Sequence, residues 1–353
     1  MSRRLRVVRI VAVNLAVLVT GLAMLELMFG NWLQPNRMNR LNLLRNAALT
    51  YDATGLYPGA SAVAYTRDAY GFRGRYANPG AIDILTIGGS ATDQRYIDDQ
   101  AAWQEVLRER LAAHGKQATV VNAGIDGQST AGHIKNFDWW FPHVPGLRAR
   151  FHLFYLGVND FHARAAFDDL AGGTTLWTTI RESSALYGLF AQMRGVYRAM
   201  VIARVGHRAV DFSSVTWTER PRLSGHAALA ADAVARYTER LRLLLSKSGA
   251  SGAVPICVTQ AARYYRTDRG RLEGVTEPIQ FGAVQVNGVD YAHLIEHFDR
   301  ATLAVCSEFG GIPLDASRDV AWQDADFYDF VHNTPQGARK LGEYLAARLL
   351  PLL

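Results

Sequence analysis

Residues 82–92 read IDILTIGGSAT. A short apolar run that stops at glycine is the pattern of a strand buried on both faces of a parallel sheet. A serine just past such a strand, beside glycines and ahead of a helix, sits on a tight turn with its hydroxyl exposed. The backbone N–H groups of such a turn can stabilise an oxyanion. Taken alone, Gly-Gly-Ser is also an ordinary loop. It is not a phosphate-binding loop, because no Gly-Lys-Ser/Thr follows.

The pattern repeats downstream. AAWQEVLRERLAAHG at 101–115 places Trp103, Val106, Leu107 and Leu111 at helical spacing, and Gly115 closes it. ATVVNAG at 118–124 reads as a second strand, and a helix begins near Thr130. FHLFYLG at 151–157 is a third strand, AVPICVTQ at 253–260 a fourth and GIPLDAS at 311–317 a weak fifth. Helical patterns fill 228–247 and 289–309, and a last helix runs from about Thr334 to Leu350. Strands alternating with helices predict an α/β domain, a mostly parallel five-stranded sheet covered on both faces. Such sheets bind ligands beyond the carboxyl ends of their strands.

Those ends carry the chemistry. The first ends at Ser90. The second ends in NAGIDGQS, where Gly127 lets backbone approach a ligand and donate an N–H, or simply makes a strand-to-helix turn. The third ends in Gly157-Val158-Asn159-Asp160. Asn159 could offer its amide to an oxyanion or cap the next segment. Near the C-terminus, Asp329-Phe330-Val331-His332 stands just before Thr334-Pro335, a well-marked helix start. A turn there can bring the carboxylate against the imidazole, fixing its tautomer and leaving Nε2 to take a serine proton. Gln260 and Arg263, after the fourth strand, are candidate substrate-binding residues.

In their order and at these strand ends, the four elements resemble the four blocks of the SGNH (GDSL-type) hydrolases. The resemblance covers about residues 82–350 and implies a flavodoxin-like three-layer α/β/α sandwich. It implies Ser90 as nucleophile, Asp329 and His332 as its triad partners, and Ser90, Gly127 and Asn159 as the oxyanion hole. No metal or cofactor is expected. One departure stands out: the first block commonly reads Gly-Asp-Ser, and here Gly89 replaces the aspartate. That aspartate is outside the triad. The change makes the chain look more like bacterial envelope members that act on acylated carbohydrate.

The N-terminus sets the compartment. Residues 10–33 are apolar with few interruptions, long enough to cross about 30 Å of hydrocarbon as a helix. Arg3, Arg4, Arg6 and Arg9 precede the run and no comparable basic cluster follows it. The positive-inside rule then keeps the N-terminus cytoplasmic and sends the rest out. No A-x-A-like site follows the run, which favours an uncleaved anchor over a signal peptide. Glu26 lies near the outer end, in reach of headgroups and water, and Trp32 sits where an interfacial anchor would. The expected organisation is a cytoplasmic end and transmembrane anchor over 1–33, a linker that wraps onto the domain over 34–81, and the hydrolase-like domain over 82–353, with an insertion at about 161–222.

The 353 residues carry a net charge of +6, four units of it from those first arginines. No basic stripe with interleaved aromatics and no nucleic-acid motif appears, so nucleic acid is not an expected partner. Cys257 and Cys306 are either two buried thiols or one disulfide, which an oxidising compartment permits. His293 and His297 have metal-pair spacing but no third ligand, and read as a solvated helix face. Asp98-Asp99 and Asp168-Asp169 read as exposed charges. The stretch 183–210 mixes apolar residues with Arg194, Arg198, Arg204 and Arg208. It suits a core-packed helix, an active-site lid or a membrane-surface helix. The expected function is a serine esterase acting on O-acyl esters of envelope or secreted carbohydrate. An O-acyltransferase with the same triad and a non-catalytic binding protein of the same fold are the alternatives.

Overall fold

In the computed structural model, which describes residues 3–32, 38, 41, 43–162, 176, 180, 183–190, 193 and 207–353, the chain divides into two compact units. One comprises residues 1–42 with 171–205 and the other residues 43–170 with 206–353. Most of the expected insertion, including Arg194, Arg198, Arg204 and Asp168-Asp169, lies outside the described residues.

The first unit contains helix α1, Arg3–Phe29. Within it Leu5–Phe29 is 25 residues long, apolar enough to cross a membrane, and none of it is buried. Such a span serves as a membrane anchor or as a signal sequence. Glu26, near its end, is fully engaged within this unit. Its carboxylate accepts hydrogen bonds from Ser184 Oγ at 2.5 Å, Ala185 N at 3.0 Å, Leu186 N at 3.1 Å and Trp32 Nε1 at 3.2 Å. The helical residues 185–190 thus begin on a carboxylate, which satisfies N–H groups that a helix start leaves unpaired.

The second unit opens with an antiparallel hairpin, β1 Ala47–Asp52 and β2 Ala62–Arg67. Then come β3 Ile82–Gly88, α2 Ser90–Asp93, α3 Trp103–Ala113 and β4 Val120–Asn122. Helix α4 Thr130–Trp139, β5 Ala149–Leu156, α5 Val158–Phe161 and β6 Trp217–Thr218 follow. The chain continues through α6 His226–Ala250, β7 Val254–Thr259, β8 Tyr265–Asp268 and β9 Arg271–Val275. It ends with β10 Ile279–Phe281, β11 Val284–Val286, α7 Gly288–Glu308, β12 Ile312–Leu314, α8 Ala316–Asp319 and α9 Pro335–Leu349.

The main sheet runs β4-β3-β5-β7-β12 with every pairing parallel. Counted in order of appearance its strands stand 2-1-3-4-5, the flavodoxin-like order. Alternation along β3 sends Ile84 to one face and Leu85 and Ile87 to the other. On the first face Ile84, Leu153 and Ile256 pack with Trp103, Leu107 and Leu111 of α3 and Leu341 and Leu345 of α9. Helices α4, α6 and α7 pack against one another in the opposite layer. All five expected strands form, at or inside their expected limits apart from a two-residue early start of β5. The hairpin β1–β2, the small sheet β6-β9-β8 and the hairpin β10–β11 are additional. Cys257 of β7 and Cys306 of α7 form a disulfide with Cα atoms 5.9 Å apart, which ties the sheet to that layer.

Beyond the ends of β7 and β12 lies a largely buried polar chain. Thr259 Oγ1 donates to Asp315 Oδ1 at 2.8 Å, and Ser317 Oγ lies 2.9 Å from both Asp315 Oδ1 and Asp299 Oδ2. One hydroxyl proton cannot serve two carboxylates, so the chain calls for a second proton, and burial makes Asp299 the carboxyl that favours holding it. Burial pushes the Asp299 carboxyl up to about 8, against the relief given by Ser317. A carboxyl raised on folding contributes stability that is full below its unfolded value and is lost as pH rises through the folded one. Asp299→Asn keeps the donor without the titration. Thermal melts should show this variant gaining on the wild type between pH 5 and pH 8; a pH-independent difference would refute the assignment.

Candidate active site

Ser90 begins α2, directly beyond β3. Its Oγ lies 2.7 Å from His332 Nε2, and His332 Nδ1 lies 2.7 Å from Asp329 Oδ2. The other Asp329 oxygen accepts from the backbone N–H of Val331 at 2.9 Å and of His332 at 2.8 Å. That turn orients the carboxylate before the imidazole meets it. The turn is itself closed by backbone bonds from Tyr328 N to His332 O at 3.0 Å and from Thr334 N to Asp326 O at 2.9 Å. Thr334 then caps α9, with Pro335 in its first turn. Residues far apart in the chain thus converge because one follows a strand end and the others precede a well-capped helix.

Gly127 turns with φ of +76°, the left-handed region that favours glycine. Among the described residues, neither Ser90 N–H nor Gly127 N–H donates to a protein acceptor. The Asn159 amide donates one N–H to Gln128 O at 2.7 Å and has a second to offer. It lies against Gly89. A Cβ at position 89 would stand 2.2 Å from Asn159 Nδ2 and 2.8 Å from Gln128 O. Gly89, the departure from Gly-Asp-Ser, is therefore required by this packing. Gly89→Ala should displace the Asn159 amide and lower kcat by about 10²-fold, the cost of one misplaced oxyanion donor. Unchanged kcat on an activated acetyl ester would contradict the packing argument.

The serine turn is braced from behind by residues whose roles the sequence did not disclose. The four-residue helix α2 leaves its carbonyls open. Thr92 O accepts from Asn122 Nδ2 at 2.7 Å and Gln104 Nε2 at 3.0 Å, and Asp93 O accepts from Arg73. Arg67, fully buried, donates to Asp93 Oδ1 at 2.6 Å and to Gly124 O at 2.5 Å. Arg67 ends β2 and Arg73 follows it, so the segment ahead of β3 holds the serine turn in place. A cavity of about 270 Å³ opens beside this brace, lined by Arg73, Asp99, Gln104 and Asn122 among others; Ser90 is not among its lining residues.

Gln260 is buried at the end of β7, its N–H bonded to Leu156 O at 3.0 Å. Arg263 is bonded to the segment around the triad turn. Its Nε donates to Asp324 Oδ1 at 2.7 Å and its backbone N–H to Phe330 O at 2.6 Å, so it anchors the turn that carries Asp329 and His332. His207 is a further member that the sequence did not reveal. It is buried, and its ring centroid lies 4.2 Å from that of His332. On distance alone His207, Asp329 and His332 could hold a metal ion, their ligand atoms lying within 4.8 Å of one another. In the structure His332 is hydrogen-bonded to Asp329 and Ser90, and His207 to Tyr328.

No protein-family model and no curated protein matches the chain. Solved structures do. TesA is 18% identical, over 77% of this chain and 99% of its own, with a TM-score of 0.43. The acetyl xylan esterase AlAXEase is 12% identical, over 76% of this chain and 100% of its own, with a TM-score of 0.44. AlinE4, described as an SGNH-hydrolase family esterase, is 16% identical over 77% of this chain and 97% of its own, with a TM-score of 0.38. Each is a protein to which this chain is similar over about three quarters of its length.

Proposed function

We propose that the chain is a membrane-anchored serine esterase of the SGNH type. The observation that carries this reading is the unbroken chain Ser90–His332–Asp329, with both contacts at 2.7 Å, beyond the carboxyl end of β3. Ser90 Oγ attacks an ester carbonyl while His332 Nε2 takes its proton. The N–H groups of Ser90 and Gly127 and the free N–H of Asn159 receive the developing oxyanion. His332 returns the proton to the leaving alcohol oxygen, and water releases the acyl group by the reverse sequence.

The substrate class follows from the compartment. With four arginines at the start of α1, the N-terminus stays cytoplasmic and the catalytic unit lies outside, where O-acetylated envelope or secreted polysaccharide is the ester we expect. The Cys257–Cys306 disulfide supports an oxidising compartment. A reporter fused at the C-terminus should therefore be active only outside the cytoplasm; a cytoplasmic signal would refute the topology. The activity itself is tested by giving the full chain, in detergent, an O-acetylated polysaccharide. Released acetate is the expected product. An acetyl group that appears on an added acceptor glycan instead would identify a transferase.

A further inference from the structure

His207 stands beside the triad in a site of its own. Its Nδ1 lies 2.8 Å from the Tyr328 hydroxyl, and its Nε2 faces Asp126 Oδ2 at 3.9 Å. The latter distance is too long for a hydrogen bond, so the Asp126 carboxylate acts on the His207 ring through its field. Arg95 pairs with Asp126 from the other side at 3.1 Å. Burial alone would raise the Asp126 carboxyl. The neighbouring His207 and the charges of Arg95 and His332 outweigh it and hold the group below the usual carboxylate range. Asp126 is thus an anion under working conditions. The Asp126 carboxylate on the Nε2 side favours the His207 proton there, and Nδ1 then accepts from the Tyr328 hydroxyl, which burial keeps protonated.

The rings complete the arrangement. Tyr328 stacks on His332 with centroids 5.5 Å apart and planes within 10°, while Tyr96 meets His207 edge-on at 4.9 Å. The charged and titratable groups facing the two imidazoles are Asp329, Asp126, Arg95, Tyr328 and Tyr96, with Tyr264 near Asp329. Asp126 also precedes Gly127, so the carboxylate is fixed to the same turn that offers an oxyanion donor.

We propose that Asp126 and His207 form a second carboxylate–imidazole pair that positions His332 and shares in stabilising its protonated form. The proposal rests on the esterase reading above. When Ser90 Oγ bonds to the acyl carbon, its proton passes to His332 Nε2 and the ring becomes an imidazolium. Asp329 meets that charge directly. Asp126 meets it across the His207 ring, which lies between the carboxylate and His332. His207 and Asp126 are positioning residues; neither touches the reacting atoms.

The test uses the full chain in detergent and two readouts, the NMR titration of the His332 ring and the pH profile of kcat/KM. Removing a nearby anion disfavours the imidazolium, so Asp126→Asn should move the His332 midpoint and the acid limb to lower pH by about half a unit. It should lower kcat by about tenfold with little change in KM, the signature of an interaction made in the transition state. In an Asp329→Ala background the same substitution should cost clearly more, because each carboxylate covers for the other. His207→Gln should retain more kcat than His207→Ala. An unmoved His332 midpoint, or losses that simply multiply, would overturn the proposal. A shifted midpoint in a protein that turns over no ester and takes no label at Ser90 would support the pairing and remove the esterase reading instead.

Discussion

His332→Ala is expected to lower kcat/KM on an activated acetyl ester by about 10⁵-fold or more, and Asp329→Ala by one to two orders of magnitude less. In the proposed mechanism the imidazole takes the serine proton and gives it to the leaving group, and its loss removes both transfers. The carboxylate orients the ring and stabilises its charge. Asp329 is buried, 7% exposed, so water is not the substitute when it is lost. The ring keeps other restraints: the backbone bond from Tyr328 N, the stacked Tyr328 ring and the contact with His207. Parallel kcat/KM measurements on both variants, with melting curves to establish folding, check the division. Near-normal activity in His332→Ala would remove the triad. A folded Asp329→Ala that is the worse of the two would overturn the assignment of roles while leaving the site in place.

Ser90→Ala should be the other large effect, a fall of about 10⁶-fold in kcat, to the residual rate that binding and oxyanion donors sustain. Its fold should survive, because Ser90 is only partly buried and its hydroxyl is bonded to the imidazole alone among the described residues. KM should change little, since the hydroxyl acts on the carbonyl only as the bond forms. Steady-state turnover over a range of substrate concentrations separates the two parameters. Retention of more than about a thousandth of the wild-type kcat would point to a different nucleophile.

Much of this was legible in the chain. The sheet declared itself because its strands are buried on both faces and read as apolar runs, and the site declared itself because parallel sheets place chemistry at strand ends. Ser90, Gly127 and Asn159 follow such ends, and Asp329 and His332 precede the marked start of the last helix. The hairpin β1–β2 did not show. In β2 the inward positions are Val63, Tyr65 and Arg67, and a buried arginine breaks the apolar alternation that marks a strand. Strands β6 and β8–β11 are two to five residues long, too short for a period to register. His207 and Asp126 carry no local signal: only the folded chain brings them beside His332. Arg263 stood where a pocket residue could stand, and its partner Asp324 could not be read from sequence spacing.

The central claim is that Ser90, activated by His332, is the group that forms the acyl-enzyme. The most direct measurement is to treat the full chain with a serine-directed phosphonate and map the adduct by peptide mass spectrometry. A single adduct on Ser90, lost in His332→Ala at matched reagent and time, is the predicted result; an adduct at another serine, or none at Ser90 in the folded wild type, would contradict it.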